Sequence, residues 1–110
     1  MRILVVDDNI DTATTTAMLL EMHGHTVSVE HSRENALINA RSAPPNVLLP
    51  DIGLPGIDGF ELARQLRAAP ATANALLVAL TGYSRTQDRK RSLEAGFNHH
   101  LKNRLTSTSF

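Results

Sequence analysis

The chain reads as an α/β domain with a doubly wound parallel sheet, on three observations. Short apolar runs alternate with segments of helical period. The runs are of strand length and carry Val and Leu on consecutive positions, as strands covered on both faces do. Two of them end in acids: Ile3-Leu4-Val5-Val6 leads into Asp7-Asp8, and Val47-Leu48-Leu49-Pro50 into Asp51. Strands joined by helices pair in parallel through right-handed crossovers, so their carboxyl ends share one edge. Ligands of such sheets bind beyond that edge.

The elements follow in order. Ile3–Val6 is a buried strand. Asn9 or Asp8 caps the helix after it, which runs to about His23 with Ala13, Ala17 and Leu20 at helical spacing. Gly24 stops it. Thr26–Glu30 is a short strand. Ser32 caps a helix to about Ala40 that turns Ala36, Leu37 and Ala40 inward. Pro44-Pro45 breaks the chain, and Val47–Leu49 is the third strand. A loop with two prolines and three glycines spans the segment to Gly59. Phe60, Ala63, Leu66 and Arg67 mark a third helix, its first three inward, with Asp58 as its cap. Leu76–Leu80 is the fourth strand. Thr86–Ala95 is helical but polar on nearly every side, anchored by Leu93 and ended by Gly96. His99–Leu101 is a short fifth strand.

The 110 residues make one domain, residues 1–110. With no cysteine there is neither a disulfide framework nor thiolate chemistry. No apolar stretch approaches the roughly 20 residues of a membrane span, and the start turns acidic too soon for a signal peptide. A cytoplasmic location is therefore expected. Net charge is zero but unevenly placed. Residues 1–61 hold nine acids and three bases, a net −6; residues 62–110 hold eight bases and two acids, a net +6. The basic cluster at Arg85–Arg91 is either a solvated surface or a contact for an acidic partner. Direct nucleic-acid binding is not expected, because no aromatic residues interleave the bases.

Asp7, Asp8, Asp51 and Thr81 all fall at strand carboxyl ends. Three carboxylates at one edge repel each other, and a cation, a raised pKa or solvent must relieve that. A divalent metal held by oxygen ligands is the simplest answer. Taken singly, each residue has an ordinary reading: Asp8 as a helix cap, Asp51 as a turn acid, Thr81 as a turn hydroxyl. Their joint placement favours the acidic metal site. Of the five histidines, His23 and His25 flank a turn, His31 is expected at the surface, and His99-His100 point to opposite faces.

Three ordered motifs resemble the receiver domain of bacterial two-component response regulators. They are Ile3-Leu4-Val5-Val6-Asp7-Asp8-Asn9, Asp51-Ile52-Gly53-Leu54-Pro55-Gly56-Ile57-Asp58-Gly59 and Ala79-Leu80-Thr81-Gly82. Gly96-Phe97-Asn98-His99-His100-Leu101 is similar to receivers attached to hybrid sensor kinases. The resemblance covers about residues 2–101. It implies a flavodoxin-like, five-stranded parallel sheet in the order 2-1-3-4-5. It also implies that Asp51 accepts a phosphoryl group from a histidine kinase or a phosphotransfer protein. Asp8 would ligate Mg²⁺ directly, with Asp7 nearby or through water, beside Asp51 and the carbonyl of Gly53. Thr81 would hydrogen-bond the phosphoryl oxygen. His100 falls at an aromatic switch position, and Tyr83 lies on the loop that rearranges.

The chain departs from the family pattern in three places. The family's lysine and following proline fall on Asn103 and Arg104, and Lys102 stands one residue early. That offset turns a strand side chain to the other face unless a bulge corrects it. Only eight residues follow Lys102, so the final helix is missing or truncated and the end is atypical from about residue 102. Pro50 removes a ladder donor beside the acceptor. Three functions compete: a phosphorylatable switch that is not itself a turnover enzyme, a degenerate receiver acting only as a protein-binding module, and a Mg²⁺-dependent phosphatase. The last is disfavoured by Gly53, where such enzymes place a second acid.

A missing fifth helix would bare about 300–400 Å² of apolar sheet, forfeiting roughly 7–10 kcal/mol, comparable to the ~5–15 kcal/mol stability of a whole domain. The chain is then expected to self-associate or to be marginal alone. Sedimentation and thermal melting test this: a monodisperse monomer melting above roughly 60 °C contradicts it.

Overall fold

A computed structural model of the chain describes residues 1–50, 59–81 and 94–102. Five strands and three helices occur among them: β1 (Arg2–Val6), α1 (Ile10–Met22), β2 (Thr26–Glu30), α2 (Arg33–Ser42), β3 (Val47–Pro50), α3 (Gly59–Ala68), β4 (Leu76–Thr81) and β5 (His99–Lys102). The strands form one sheet in the order β2-β1-β3-β4-β5, each pair parallel. This is the expected flavodoxin-like architecture. The expected final helix falls on residues 103–110, outside the described residues, as do residues 86–93 of the polar helix. Glu94 and Ala95 are helical.

The continuous apolar run of β1 feeds two cores. Leu4 and Val6 pack on one side with Leu48, Leu77, Ala36, Ala40 and the inward residues of α3; Ile3 and Val5 pack on the other with Ala13, Val47, Leu49 and Val78. Alternation along an extended strand sends successive side chains to opposite faces, which is why every position of the run is apolar. Phe60, Ala63 and Leu66 are inward as expected, and Leu62 joins them fully buried. The Phe60 and Phe97 rings meet edge to face, centroids 6.4 Å apart.

Both cap residues act as their chemistry dictates. Asn9, not Asp8, caps α1: its side-chain oxygen accepts from the Thr12 N–H at 3.0 Å. Ser32 caps α2, accepting from the Asn35 N–H at 3.2 Å. α2 runs to Ser42, beyond its expected end near Ala40, because nothing before Pro44 forbids the helix.

β3 includes Pro50, buried and opposite Val6 of β1. The Leu76 N–H donates to the Asn46 carbonyl at 2.9 Å. That bond sets the alternation of amide directions along β3 and aims the nitrogens of residues 48 and 50 at β4. Pro50 has no hydrogen to offer there. Among the described residues the β3–β4 ladder accordingly registers Val47 with Leu76 and Leu48 with Leu77 and goes no further, whereas the β1–β3 ladder runs to Pro50. The lost donor thus lies on the β4 side, at the end of the strand nearest the acids.

On the face beside α1, Val47, Leu49 and Val78 are buried, whereas Leu76, 37% exposed, and His99, the register partner of Val78, are open.

At the opposite edge from the acids, Arg67 ties α3 to the approaches of β4 and β5. Its guanidinium donates to the carbonyls of Gly96 (2.9 Å), Ala73 (2.7 Å) and Ala75 (2.7 Å) and to the Asn98 side-chain oxygen (2.6 Å). Burial lowers its pKa from the ordinary arginine value, and the four acceptors compensate the buried charge. Gly96 adopts φ +109°, and a Cβ there would stand 2.7 Å from Arg67 Cγ. The arginine cannot yield cheaply, because its far end is held at four points. Gly96→Ala should therefore cost about 1–3 kcal/mol and lower the melting temperature by at least about 5 °C. Chemical denaturation of the single variant and of the double variant with Arg67→Ala checks this. The two costs should be clearly less than additive, because truncating Arg67 removes the clash.

Candidate functional site: the carboxyl edge of the sheet

The described backbones at the expected site end at one edge by way of strand register. Val6 is opposite Glu30 on one side and Pro50 on the other. Asp7 and Asp8 follow Val6 directly, and Asp51 is bonded to Pro50. Asp51 and Gly53 themselves lie outside the described residues. The backbones of Thr81 and Lys102 end β4 and β5 as register partners. The pairing from Val78↔His99 to Thr81↔Lys102 is continuous, with no bulge to correct the lysine's offset. The side chains of Thr81, His100 and Lys102, and all of Tyr83, are outside the described part.

The two described acids differ sharply. Asp7 is 3% exposed. Its Oδ1 accepts from the Asn9 N–H at 2.9 Å, and its own N–H donates to the Glu30 carbonyl at 3.1 Å. Asp8 is exposed, and its carboxylate takes no hydrogen bond or ion pair among the described residues. Both sit at the amino end of α1, where the aligned peptide dipoles favour negative charge. The helix thus offsets part of the repulsion between the acids.

This pair fits a hard divalent cation. Both donors are carboxylate oxygens, the type such ions select, and one of them is open to solvent as an ion that keeps several waters requires. Asp8 is the residue suited to direct ligation, and Asp7 is a buried acid that also organises the start of the helix. Among the described residues no cluster of three His, Cys, Asp or Glu side chains forms; the remaining expected ligands, Asp51 and the Gly53 carbonyl, are outside them.

One contributor escaped the sequence reading. His31 is at the surface as expected, but its Nδ1 lies 2.9 Å from the Asp7 carbonyl. A carbonyl only accepts, so Nδ1 carries the proton in this bond. The available clue was positional: His31 follows the last residue of β2, and Asp7 follows the last residue of its partner strand β1.

A parallel sheet in the order β2-β1-β3-β4-β5, with acids at the carboxyl end of its first strand, defines a flavodoxin-like domain, a class whose ligands bind at the switch point. The profile of the response regulator receiver domain family matches residues 3–108, and the chain belongs to that family. It is 39% identical over 101 residues to a 14.6 kDa protein encoded in the sodA1 3′ region of Leptolyngbya boryana, spanning 92% of this chain and 77% of that one. To the protein PilH of Pseudomonas aeruginosa it is 31% identical, spanning 91% and 83%. The BeF3-activated receiver domain of Klebsiella pneumoniae RstA superposes with a TM-score of 0.84 at 30% identity, covering 94% of this chain and 86% of that one. Other relatives are far longer: the chain spans 13% of the Myxococcus xanthus gliding motility regulatory protein and 43% of the response regulator MprA of Mycobacterium avium.

The contrast between the acids is measurable. Asp8→Asn should leave metal-free stability within about 0.5 kcal/mol, as exposed substitutions do, yet weaken Mg²⁺ binding at least tenfold. Asp7→Ala should cost about 1–3 kcal/mol, because it strips a hydrogen bond from a partly buried amide. Denaturant melts with and without Mg²⁺ read both.

Proposed function

We propose that the protein is a phosphorylatable signalling switch, with Asp51 as acceptor and a histidine kinase or phosphotransfer protein as donor. The observation that carries this reading is the register of Val6 with Pro50, which brings the Asp7-Asp8 pair and the residue before Asp51 to one sheet edge in a chain of the receiver family. A carboxylate oxygen of Asp51 would attack the phosphorus of a phosphohistidine. The new O–P bond forms as the N–P bond breaks, and the departing imidazole recovers a proton from solvent. Mg²⁺ bound at Asp7, Asp8, Asp51 and the Gly53 carbonyl would supply neutralisation of the charge that accumulates between the acceptor and the phosphoryl oxygens.

The chain's own residues do the rest. Asp8 presents an open carboxylate at the edge, and Asp7, clamped by the Asn9 amide, sets the depth of the site. Thr81 would donate its hydroxyl to a phosphoryl oxygen, biasing the loop after β4 toward a second arrangement. Lys102 would add positive charge from the end of β5. In this scheme the protein is a substrate of its donor rather than a turnover enzyme. No described helix is long and apolar enough to cross a membrane, which fits a cytoplasmic partner.

The unbulged pairing of β5 through Lys102 favours one alternative: a degenerate receiver that acts by protein contact without a working switch. Beryllofluoride with Mg²⁺ separates the two, since only a switch should shift the resonances of Thr81 and Tyr83. The decisive experiment for the acceptor is labelling with acetyl phosphate and Mg²⁺, read by intact mass. Wild type should gain one phosphoryl group and Asp51→Ala none; equal labelling of both removes Asp51 from its role.

A further inference from the structure

We propose that His31 is a positioning residue for the acidic site: its ring holds the Asp7 carbonyl and thereby fixes the direction from which the Asp8 carboxylate projects. The proposal rests on the reading of Asp7 and Asp8 as magnesium ligands.

The reasoning starts at the end of the β1–β2 ladder. The Asp7 N–H donates to the Glu30 carbonyl. A regular parallel ladder would next send the N–H of residue 32 to the Asp7 carbonyl. At that point the chain departs into α2, with Ser32 as its cap. The His31 ring supplies the donor instead, at 2.9 Å. A side chain thus closes the ladder where the strands part and the crevice opens.

The consequence falls on Asp8. Its carboxylate has no partner of its own among the described residues, so its direction depends on the two peptide units that flank it. The unit before it is held through the Asp7 carbonyl, by His31. The unit after it is held through the Asn9 N–H, by Asp7 Oδ1. With both units pinned, Asp8 has little backbone freedom left, and a ligand is preorganised. His31 comes from a different strand from the acids, and the strand end that carries it is anchored in turn: Glu30 accepts from the Asn39 side chain of α2 at 2.9 Å. Being at the surface, His31 contributes little to either core, which separates its effect on the site from an effect on folding.

The test is Mg²⁺ titration of the full chain by calorimetry, with the melting temperature of the metal-free protein measured alongside. His31→Ala should weaken Mg²⁺ binding about tenfold, the low end for residues that orient a metal's ligands. His31→Asn, whose carboxamide N–H can stand where the ring N–H stood, should recover most of that loss. His31→Phe, which keeps the ring and lacks the donor, should behave like His31→Ala and replaces it if the alanine variant fails to fold. Wild-type affinity in the donor-less variants overturns the proposal, as does an asparagine variant no tighter than they are. A purely structural role would lower the melting temperature and leave the Mg²⁺ affinity alone. Asp8→Asn keeps the outcomes apart. If it loses binding while His31→Ala does not, only the role of His31 falls; if wild type itself shows no saturable binding, the magnesium reading falls and takes this proposal with it.

Discussion

The parallel register of β1 on β3 is the constraint on which the rest depends. Val6 stands opposite Pro50 at the last rung of that ladder, and the acids come immediately after. A slip of one residue would reverse the faces of an all-apolar strand at little hydrophobic cost, because both faces are buried. What forbids the slip is the edge itself. Asp7 can be buried only where its carboxylate meets the Asn9 amide and its N–H meets Glu30. Moved one place inward, it would take the place of Val6 in the core with Leu48 and Leu77, where an uncompensated carboxylate is strongly disfavoured. The acids proposed for the site thus also act as the register stop.

Pro50 belongs to the same logic. Paired strands normally remain paired to their ends. Here the proline ends the β3–β4 ladder after two rungs while leaving the β1–β3 ladder intact. The sheet is therefore closed between the two acid-bearing strands and loosened on the side of β4, the strand that ends in Thr81. A receiver whose β4 hydroxyl has to move on phosphorylation gains from weak pairing there. The cost of the absent bond is about 1 kcal/mol, small beside the burial of Leu48, Leu49 and Leu77 around it.

Much of this was legible in the residues themselves. The Val and Leu runs, Asn9 and Ser32 before their helices, and Gly24 after the first one specify strands and helices by steric and hydrogen-bonding rules that need no tertiary context. The collection of acids at one edge followed from the direction of parallel strands. Other features are long-range and were not legible. Whether Asp8 or Asn9 caps α1 depends on which side chain Asp7 leaves free to turn back. The partners of Arg67 are oxygens drawn from two separate stretches of chain, 73–75 and 96–98. The bond from His31 joins positions 24 residues apart. Leu62 was missed because the helix buries a wider stripe than the spacing of Phe60, Ala63 and Leu66 implies.

The two ends of the sheet also divide the labour between stability and response. At the amino edge Arg67 spends four hydrogen bonds on neutral oxygens, an arrangement that exposes no acceptor for a ligand and binds α3, β4 and β5 into one unit. At the carboxyl edge the described hydrogen bonds hold backbone groups around a carboxylate left open. On the proposed reading, an acyl phosphate at Asp51 would add charge and acceptor oxygens to the side of the molecule with the weaker pairing. With α3, β4 and β5 tied together by Arg67 at the amino edge, such a change of charge would act at the far edge of the sheet, away from that anchor.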